Sequence, residues 1–341
     1  MHFSIIQTEE DWARLKSEWD ALLERSVTKV PFLLWDYQFA WWQKRGGAEW
    51  PAESQLAIIT AREDSQLTGI APFFIAEKEG EPPALRFIGQ VEVSDYLDFI
   101  VPPDSLQPFL TGLLTYLTAE PSLSALPLRL DNFIDTSLSL PALQAAAAQT
   151  GRTYAASVLM PSPYIPTAPD WDSYLATLDK KQRHEIRRKI RNAAAQRNAS
   201  WYIMEHSEHC QQEMDDFLTM MRNEPDKDTF LKPAMVEFMQ AAAEAACKNN
   251  ILHLAFLTMD GEKAGAFLSF INDKKLLVYN SAWNPRFSQF SPGWVLLSFL
   301  IQWAIEHHFS EVDMMRGDED YKYRFGGVDR HVMSVVLSKP R

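Results

Sequence analysis

The sequence predicts an α+β fold built from two tandem repeats. The segments Leu56–Ile75 and Leu252–Ile271 both have the pattern of two apolar strands joined by a polar turn. The two segments correspond at a constant offset of 196 positions. This offset joins their first residues, their last residues and a glycine within each, Gly69 and Gly265. A chain of 341 residues also exceeds what one hydrophobic core usually supports. We therefore expect two domains of related architecture.

Hydrophobic periodicity and turn signals predict the elements of the first half. Thr8 with Asp11 indicates the start of a helix, because a threonine side chain can accept the hydrogen bond of the amide three residues later. The predicted order is strand 2–7, helices 9–25 and 35–45, hairpin 55–77, strands near 84–101, helix 104–118, strand 127–133, helix 138–149 and strand 153–160.

The second half is predicted to repeat this order. Its elements are helix 171–198 with a break, strand 200–205, helices 207–222 and 230–248, hairpin 251–272, strand 274–283, helix 292–308, strand 311–315, short helix 318–324 and strand 331–338.

Four prolines between the halves indicate a linker, since proline lacks a backbone donor and favours extended geometry in the residue before it. They are Pro161, Pro163, Pro166 and Pro169. We therefore predict an N-terminal domain over 1–160, a linker over 161–170 and a C-terminal domain over 171–341.

Composition is that of a folded protein, with 46% apolar and 12% aromatic residues. The N-terminus lacks a basic start followed by an apolar stretch, which argues against a secretory signal. The longest apolar run, around Trp294 to Ile305, is shorter than the roughly 20 residues needed to cross a bilayer. We expect a cytoplasmic protein. Cys210 and Cys247 are too few for a disulfide framework.

Charge is concentrated in one segment. Residues 180–197 hold eight of the 33 Lys and Arg but one of the 45 acids, Glu185, so the segment is +7 and the remainder −19. This distribution argues against general nucleic-acid binding and leaves one cationic helix. A solvated helix face is the default interpretation. The alternative is an anionic ligand at 180–191: donor phosphates, an anionic glycan precursor, tRNA or a membrane surface.

The triplet Ser291, Pro292 and Gly293 predicts a helix start that binds anions. Ser291 can act as the cap, proline suits the first helical position, and glycine allows close approach to the backbone. The free amides of such a start are suited to phosphate. The helix that follows is largely apolar, so we expect its N-terminus to be held rigidly.

Several segments together resemble the GNAT acyltransferase fold. The whole chain is similar to the tandem-GNAT group of CelD-like acetyltransferases, which is related to Fem-type peptidyl transferases. The resemblance implies that each repeat is a mixed, mainly antiparallel sheet flanked by helices. It rests on PFLLWDY (31–37), DYLDF (95–99), KQRHEIRRK (181–189), YNSAWNP (279–285), SPG (291–293) and RGDEDYKYRFG (316–326).

The resemblance also implies a donor site. In the wider family the loop before the third helix follows Gln/Arg-x-x-Gly-x-Gly/Ala and wraps the pyrophosphate of coenzyme A. Ser288, Ser291 and Gly293 stand at the corresponding positions, and only Gly293 matches. The donor is therefore acetyl-CoA or another acyl-CoA, or a different activated acyl carrier. The expected donor-binding residues are Asn280, Arg286, Ser291, Pro292, Gly293 and Trp294.

Acyl transfer to an amine needs a base, donors for the oxyanion and an acid for the leaving thiolate. The resemblance places a tyrosine of the last short helix near the sulfur, which is Tyr321 or Tyr323. Glu319 is the base candidate, and Lys322 could hold a carbonyl or a phosphate. The alternative is a solvated helix whose charges pair locally.

We expect Arg316, Asp95, Tyr96 and Asp98 to contact the acceptor substrate. The last three are expected at a strand start that faces the cleft between the halves. Turn capping is the alternative for the aspartates. The aromatic cluster around Trp41 could stack on a sugar, although aromatic density on a helix more often indicates core packing.

His206, His209 and Cys210 suggest a metal site, but no second ligand cluster follows them, and we expect no metal.

These patterns predict an enzyme, a GNAT-type N-acyltransferase that moves an acyl group, the acetyl group first among candidates, from acyl-CoA to an amine. The expected acceptor is a small molecule, a sugar or a precursor of the cell envelope or of a polysaccharide. One alternative is a Fem-type peptidyl transferase that uses aminoacyl-tRNA. The other is a non-catalytic glycan-binding module on the same scaffold.

Overall fold

The computed structural model describes residues 1–78, 80–205 and 207–339. It consists of two compact units. Unit 1 comprises residues 1–160 together with the C-terminal segment that begins at His331, and unit 2 comprises residues 161–330. The C-terminal strand, which we expected in the second half, thus belongs to unit 1. Its partner strands lie some 200 residues earlier in the chain, and local sequence patterns carry no signal for such pairing.

The elements up to residue 161 follow the predicted order. They are β1 (His2–Ile6), α1 (Glu9–Ala13), α2 (Lys16–Leu23), α3 (Trp35–Ala48), β2 (Gln55–Leu56), β3 (Ile58–Glu63), β4 (Gln66–Ala71), β5 (Phe73–Lys78), β6 (Glu81–Phe87), α4 (Leu106–Ala119), β7 (Leu128–Ile134), α5 (Ser139–Gln149) and β8 (Thr153–Pro161).

The later elements include a long basic helix and a long apolar one. They are β9 (Tyr164–Pro166), α6 (Trp171–Thr177), α7 (Lys180–Arg197), β10 (Ser200–Ile203), α8 (Cys210–Met221), α9 (Pro225–Phe230), α10 (Pro233–Lys248), β11 (Leu252–Met259), β12 (Glu262–Asn272), β13 (Lys275–Trp283), α11 (Pro292–Glu306), β14 (Glu311–Asp313), α12 (Asp320–Arg324) and β15 (His331–Ser338).

Unit 1 contains two sheets. Strands β1, β3 and β4 form a three-stranded antiparallel sheet in the order β1-β3-β4. The second sheet has the order β2-β5-β6-β7-β15-β8, and β6 and β7 run parallel in it. The aromatic cluster of α3 packs inside this unit: Trp41 has no exposed surface and Trp42 is 4% exposed. The cluster is therefore core, in line with its density on one helix.

Unit 2 is built on one mixed sheet with the order β10-β11-β12-β13-β14-β9. Its pairs are antiparallel except β13 with β14, which run parallel over Lys275–Leu277 and Glu311–Asp313. Helix α11 contacts β11, β12, β13 and β14 and buries most of its apolar residues against them. It is the central helix of the unit 2 core, as its sequence predicted.

The internal duplication is visible in the two hairpins. Strands β3 and β4 correspond to β11 and β12, and both hairpins carry a β-bulge at the same place, after Ala61 and after Leu257. A glycine pairs with the residue at each bulge: Gly69 faces Ala61 and Gly265 faces Leu257. A side chain at Gly69 would meet the ring of Phe109 at 2.3 Å, and one at Gly265 would meet Pro292 at 3.3 Å. Each glycine thus lets a helix of its own unit approach the sheet.

Four local expectations differ from the structure. Predicted helix 9–25 is two helices, with Arg14 and Leu15 between them. The first hairpin ends at Ala71, because Pro72 cannot donate to a ladder, and β5 pairs in the other sheet. Residues 88–101 are largely irregular instead of forming strands. The predicted linker contains β9, which pairs antiparallel with β14, because an edge strand with one neighbour tolerates proline.

Within the described residues, no helix combines the length and the hydropathy that a membrane crossing requires.

A buried histidine lies in the core of unit 2. His253 of β11 is 1% exposed, packs on the ring of Trp303 at 4.4 Å, and neither ring nitrogen hydrogen-bonds to a described residue. Burial, with a smaller effect from His307, lowers the pKa of His253 to about 4. The folded state therefore requires the neutral imidazole.

We expect this histidine to make unit 2 sensitive to acid. Because the pKa of His253 is lower in the folded than in the unfolded state, its stabilising contribution is present above about pH 6.5 and is lost as the pH falls towards 4. Over that pH range, the unfolding free energy of His253→Phe should fall by on the order of 3 kcal/mol less than that of the unchanged protein. Urea denaturation at several pH values measures this, with the exposed His209→Gln as control. An unchanged pH dependence in His253→Phe would contradict the assignment.

Candidate functional site

The start of α11 has an unusual backbone. Ser291 occupies the capping position, but its backbone is left-handed, with φ 53° and ψ 59°, and its side chain makes no capping hydrogen bond. The predicted serine cap is therefore wrong. A capping side chain needs an extended backbone, whereas Ser291 also ends the preceding 3₁₀ helix Pro285–Phe290, and its N–H donates to Ser288 O at 2.9 Å.

The missing cap leaves backbone donors at this helix start. Pro292 has no N–H, and the first intrahelical bond runs from Val295 N–H to Ser291 O at 3.2 Å. The N–H groups of Gly293 and Trp294 have no intrahelical acceptor by the geometry of an α-helix. A Cβ added at Gly293 would meet nothing within 4 Å. Open space thus lies on the Cβ side of Gly293, at the positive end of the helix dipole.

A cavity of about 270 Å³ lies at this point. Most of its wall is apolar, and the two amides of the helix start provide polar contacts on one side. The lining residues come from β12, β13, the 3₁₀ turn, α11 and α12: Phe267, Ser281, Trp283, Ser288, Ser291, Pro292, Gly293, Trp294, Leu297 and Tyr321. We call this cavity the α11 pocket.

Strand β13 extends past the end of β14 beside the α11 pocket. Strand β13 pairs with β14 over only its first three residues and then continues to Trp283. Ser281 and Trp283, two residues apart and hence on the same face of β13, line the pocket beyond the paired part. The Ser281 carbonyl accepts from Lys227 Nζ at 2.5 Å, and Lys227 pairs with Glu224 at 2.6 Å. The pocket is thus bordered by the part of β13 that extends beyond the end of β14.

Tyr321 presents a protonated phenol to the α11 pocket. Burial raises its pKa, and the carboxylates of Glu319 and Glu224 raise it further. The hydroxyl therefore keeps its proton throughout the neutral range. Such a group can donate a proton or a hydrogen bond and cannot serve as a base.

Tyr323 differs from Tyr321 in both exposure and partner. Its side chain is partly exposed and its O–H donates to Asp329 at 2.8 Å, a bond that raises its pKa to about 12. It does not line the α11 pocket. Of the two tyrosines that the sequence left open, the structure brings only Tyr321 to the helix start.

Lys322 is a structural cation. Its side chain is 3% exposed, and its ammonium donates to the carbonyls of Met315 at 3.1 Å and Arg316 at 2.6 Å. It also approaches Gly317 O at 3.3 Å and pairs with Glu319 at 2.9 Å. Three N–H donors are thereby used on the protein itself, which leaves none for a ligand. Glu319 remains largely exposed beside Tyr321.

Two expected donor residues lie away from the cavity lining. Asn280 accepts from the N–H of Ser281 at 2.8 Å, and Arg286 is an exposed residue paired with Glu262 at 2.6 Å. Neither lines the α11 pocket. Their role in donor binding stays a prediction.

The aspartates that we expected to contact the acceptor substrate are buried in unit 1. Asp98 has no exposed surface and accepts from Thr28 at 2.5 Å, Ser137 at 2.6 Å and its neighbour Phe99 N–H at 2.8 Å. Burial outweighs these bonds and raises its pKa. Asp95 and Tyr96 are 4% and 3% exposed. This burial favours the structural alternative for Asp98, so we do not include it in the proposed site.

Arg316 belongs to the loop of unit 2 that Lys322 holds through its carbonyl. Its contact with an acceptor stays a prediction. His206 lies outside the described residues, and among those described no group of three or more His, Cys, Asp or Glu side chains could hold a metal ion.

Sequence reasoning missed four residues of the cavity wall, namely Phe267, Ser281, Trp283 and Leu297. Their signal was available in part. Trp283 and Ser281 alternate on a strand that leads into the predicted anion site, and strand periodicity puts both on one face.

We expect Lys322→Met to be a stability variant. The substitution leaves the carbonyls of residues 315–317 without their buried cation, which should lower the unfolding free energy by roughly 2 kcal/mol or more. The exposed pair of Arg324 with Asp320 offers a matched control on the same helix, and Arg324→Met should cost under about 1 kcal/mol. Chemical denaturation measures both. Unchanged stability of Lys322→Met, with a loss of ligand affinity instead, would restore the ligand-binding role.

Comparison with known proteins gives a family match within unit 2. Residues 180–323 match the family model of the acetyltransferase (GNAT) domain. No curated protein matches the chain. The predicted fold class, α+β with two tandem GNAT-like repeats, each a mixed and mainly antiparallel sheet with helices, is confirmed.

Solved structures share this fold along the whole chain. FemX is similar with a TM-score of 0.64 and 12% identity, over 99% of this chain and 97% of that chain. A conserved protein of unknown function from Bacteroides thetaiotaomicron has a TM-score of 0.60 and 12% identity, over 98% and 100%. L-PGS from Bacillus licheniformis has a TM-score of 0.56 and 12% identity, over 95% and 92%. At such identities the likeness shows the fold alone.

Proposed function

We propose that unit 2 is an N-acyltransferase that moves an acyl group from acetyl-CoA or another acyl-CoA to an amine. The α11 pocket carries this proposal, because the uncapped amides of Gly293 and Trp294 and the protonated Tyr321 open onto one cavity. The acetyltransferase domain match over residues 180–323 supports it. We further propose a sugar or a cell-envelope or polysaccharide precursor as the acceptor, as in the CelD-like group that the sequence resembles.

The α11 pocket suits an anionic thioester in two respects. Gly293 offers its amide with open space where a side chain would stand, so a phosphate can approach the backbone closely. The apolar wall, which includes Phe267, Trp283 and Leu297, suits the chain that links such a phosphate to a thioester. We assign Gly293, Phe267, Trp283 and Leu297 to donor binding.

The chemistry assigns Tyr321 the role of acid. As the amine nitrogen bonds to the thioester carbon, the C–S bond breaks, the nitrogen loses a proton and the sulfur needs one. Tyr321 holds a proton at neutral pH and lies at the pocket, so it can protonate the departing sulfur. We assign the largely exposed Glu319, beside it, the removal of the amine proton.

We expect Gly293→Val to weaken donor binding without harming the fold. The added Cβ meets nothing within 4 Å outside its own stretch of helix, so the side chain enters the open space beside the helix start. The Kd for acetyl-CoA, measured by calorimetry, should rise at least about tenfold, equivalent to roughly 1.4 kcal/mol. Ala195→Val, at an exposed position of α7 outside the pocket, serves as the control.

An unchanged Kd in Gly293→Val would contradict the donor site. Thermal denaturation tests the choice of donor, because only a ligand of the native state raises the midpoint. A rise with aminoacyl-tRNA and none with acetyl-CoA or coenzyme A would replace the proposal by the peptidyl-transferase alternative. A rise with a glycan alone would favour the binding module.

We expect Tyr321→Phe to reduce turnover at least about a hundredfold, because it removes the proton for the leaving sulfur and keeps the ring. Tyr323→Phe is the matched control two residues away, and it should leave turnover within about threefold, since its hydroxyl bonds to Asp329 outside the pocket. Steady-state rates with acetyl-CoA and a panel of amino sugars measure both. Equal effects of the two variants would reject the assignment of the acid.

A further inference from the structure

A cationic groove runs along α7, separate from the α11 pocket. Two adjoining cavities of about 430 and 240 Å³ follow one face of the helix and share His184 and Arg187 in their walls. The residues of this face are spaced by one to four positions, so they form a single stripe. They are Lys180, Arg183, His184, Arg187 and Arg191, and we call the two cavities together the α7 groove.

Most charges of the α7 groove are not neutralised by the protein. Arg187 pairs with Asp172 at 3.0 Å, whereas Lys180, Arg183 and Arg191 form no ion pair with any described residue. Arg188, on the same helix but outside the groove, pairs with Glu185 at 2.8 Å. Three cations of α7 without an ion pair to a described residue thus lie in the walls of the two cavities.

The position of these cations opposes helix stability. The first turn of α7 begins with Lys180 and Lys181 and contains no acid, and the negative charge at this helix start is that of the cap Asp179, which accepts from Gln182 N–H at 2.9 Å. Cations at the positive end of a helix dipole destabilise it by about 0.3–1 kcal/mol each. A bound anion would offset this repulsion.

The two cavities of the α7 groove differ in character. The larger is lined by Trp171, Ile190, Phe299 and Gln302, together with His184, Arg187 and Arg191. Neighbouring rings hold the two aromatic side chains in place, since Trp171 stacks on Tyr174 and Phe299 stacks on Trp201. The smaller cavity is lined by Lys180, Arg183, His184 and Arg187, together with Ala176 and with Asp172, whose carboxylate pairs with Arg187. The rings of Trp171 and Phe299 therefore line the larger cavity, and cationic side chains line both.

The size and charge of the surroundings favour a compact ligand. The larger cavity is within the range of small-molecule sites, roughly 300–1,000 Å³. The chain outside residues 180–197 carries a net charge of −19, which repels a long polyanion.

We propose that the α7 groove binds a nucleoside diphosphate or a molecule that carries one. The diphosphate lies against Lys180, Arg183 and Arg187, since guanidinium groups bind phosphate through paired hydrogen bonds. The base and ribose lie between Trp171 and Phe299, because a flat ring stacks on aromatic side chains. This inference goes beyond the proposed acyl transfer and does not depend on it.

Calorimetry with the full-length protein and ADP, UDP, inorganic pyrophosphate or adenosine as probes tests the proposal. ADP and UDP should bind more tightly than pyrophosphate or adenosine, because each of the latter occupies only one part of the groove. Arg187→Gln and Arg183→Gln should each raise the Kd for ADP and UDP at least about tenfold. Arg188→Gln, the neighbouring exposed arginine outside the groove, should leave it within about twofold, and Trp171→Leu should weaken the nucleotides but not pyrophosphate.

Gly293→Val tests whether the nucleotides bind in the α11 pocket instead. If they bind in the α7 groove, this variant should leave the Kd for ADP and UDP unchanged. Equal melting temperatures of the variants show that they are folded. No binding of ADP or UDP at millimolar concentration would overturn the proposal, as would equal losses in Arg187→Gln and Arg188→Gln. Tight binding of a single-stranded RNA oligonucleotide, with weaker binding of mononucleotides, would overturn it in favour of a nucleic-acid surface.

Discussion

The close contact between β12 and the first residue of α11 determines the geometry of the site. Gly265 lets Pro292 approach so closely that even a Cβ would touch it at 3.3 Å. The chain reaches this position from a 3₁₀ turn through the left-handed Ser291, and this conformation removes the serine cap from the helix. One packing constraint therefore produces both a rigid helix and uncapped amides at its start. The same pairing of glycine and helix recurs in unit 1, where Gly69 admits Phe109 and no comparable chemistry is assigned.

The charged segment after β14 shows how burial divides similar residues between support and chemistry. Lys322 points inward and holds three carbonyls of residues 315–317, so the loop before α12 has a fixed shape. Tyr321, next to it, faces the α11 pocket and keeps its proton because it is buried beside carboxylates. Tyr323 and Asp329 satisfy each other at the surface. A helix of five residues thus carries one structural cation, one group suited to acid catalysis and one surface pair.

Sequence patterns predicted most helices and strands because these have clear periodicity, and the constant offset of 196 residues extended to a shared β-bulge. The errors have specific physical causes. Capping propensity favours Ser291, but the backbone conformation decides whether the hydroxyl can reach an amide. Lys322 was expected to hold a ligand carbonyl or a phosphate, whereas the partners of its ammonium are backbone carbonyls that become visible only in the folded loop. The pairing of β15 with β7 joins residues some 200 positions apart, and no local rule encodes it.

The central claim is that the amides of Gly293 and Trp294 bind the anionic part of the acyl donor. Amide NMR spectra of the isotope-labelled protein during a titration with coenzyme A test it most directly. The account predicts that the N–H resonances of these two residues shift downfield and saturate together with calorimetric binding. It would be contradicted if coenzyme A bound while both resonances stayed unchanged.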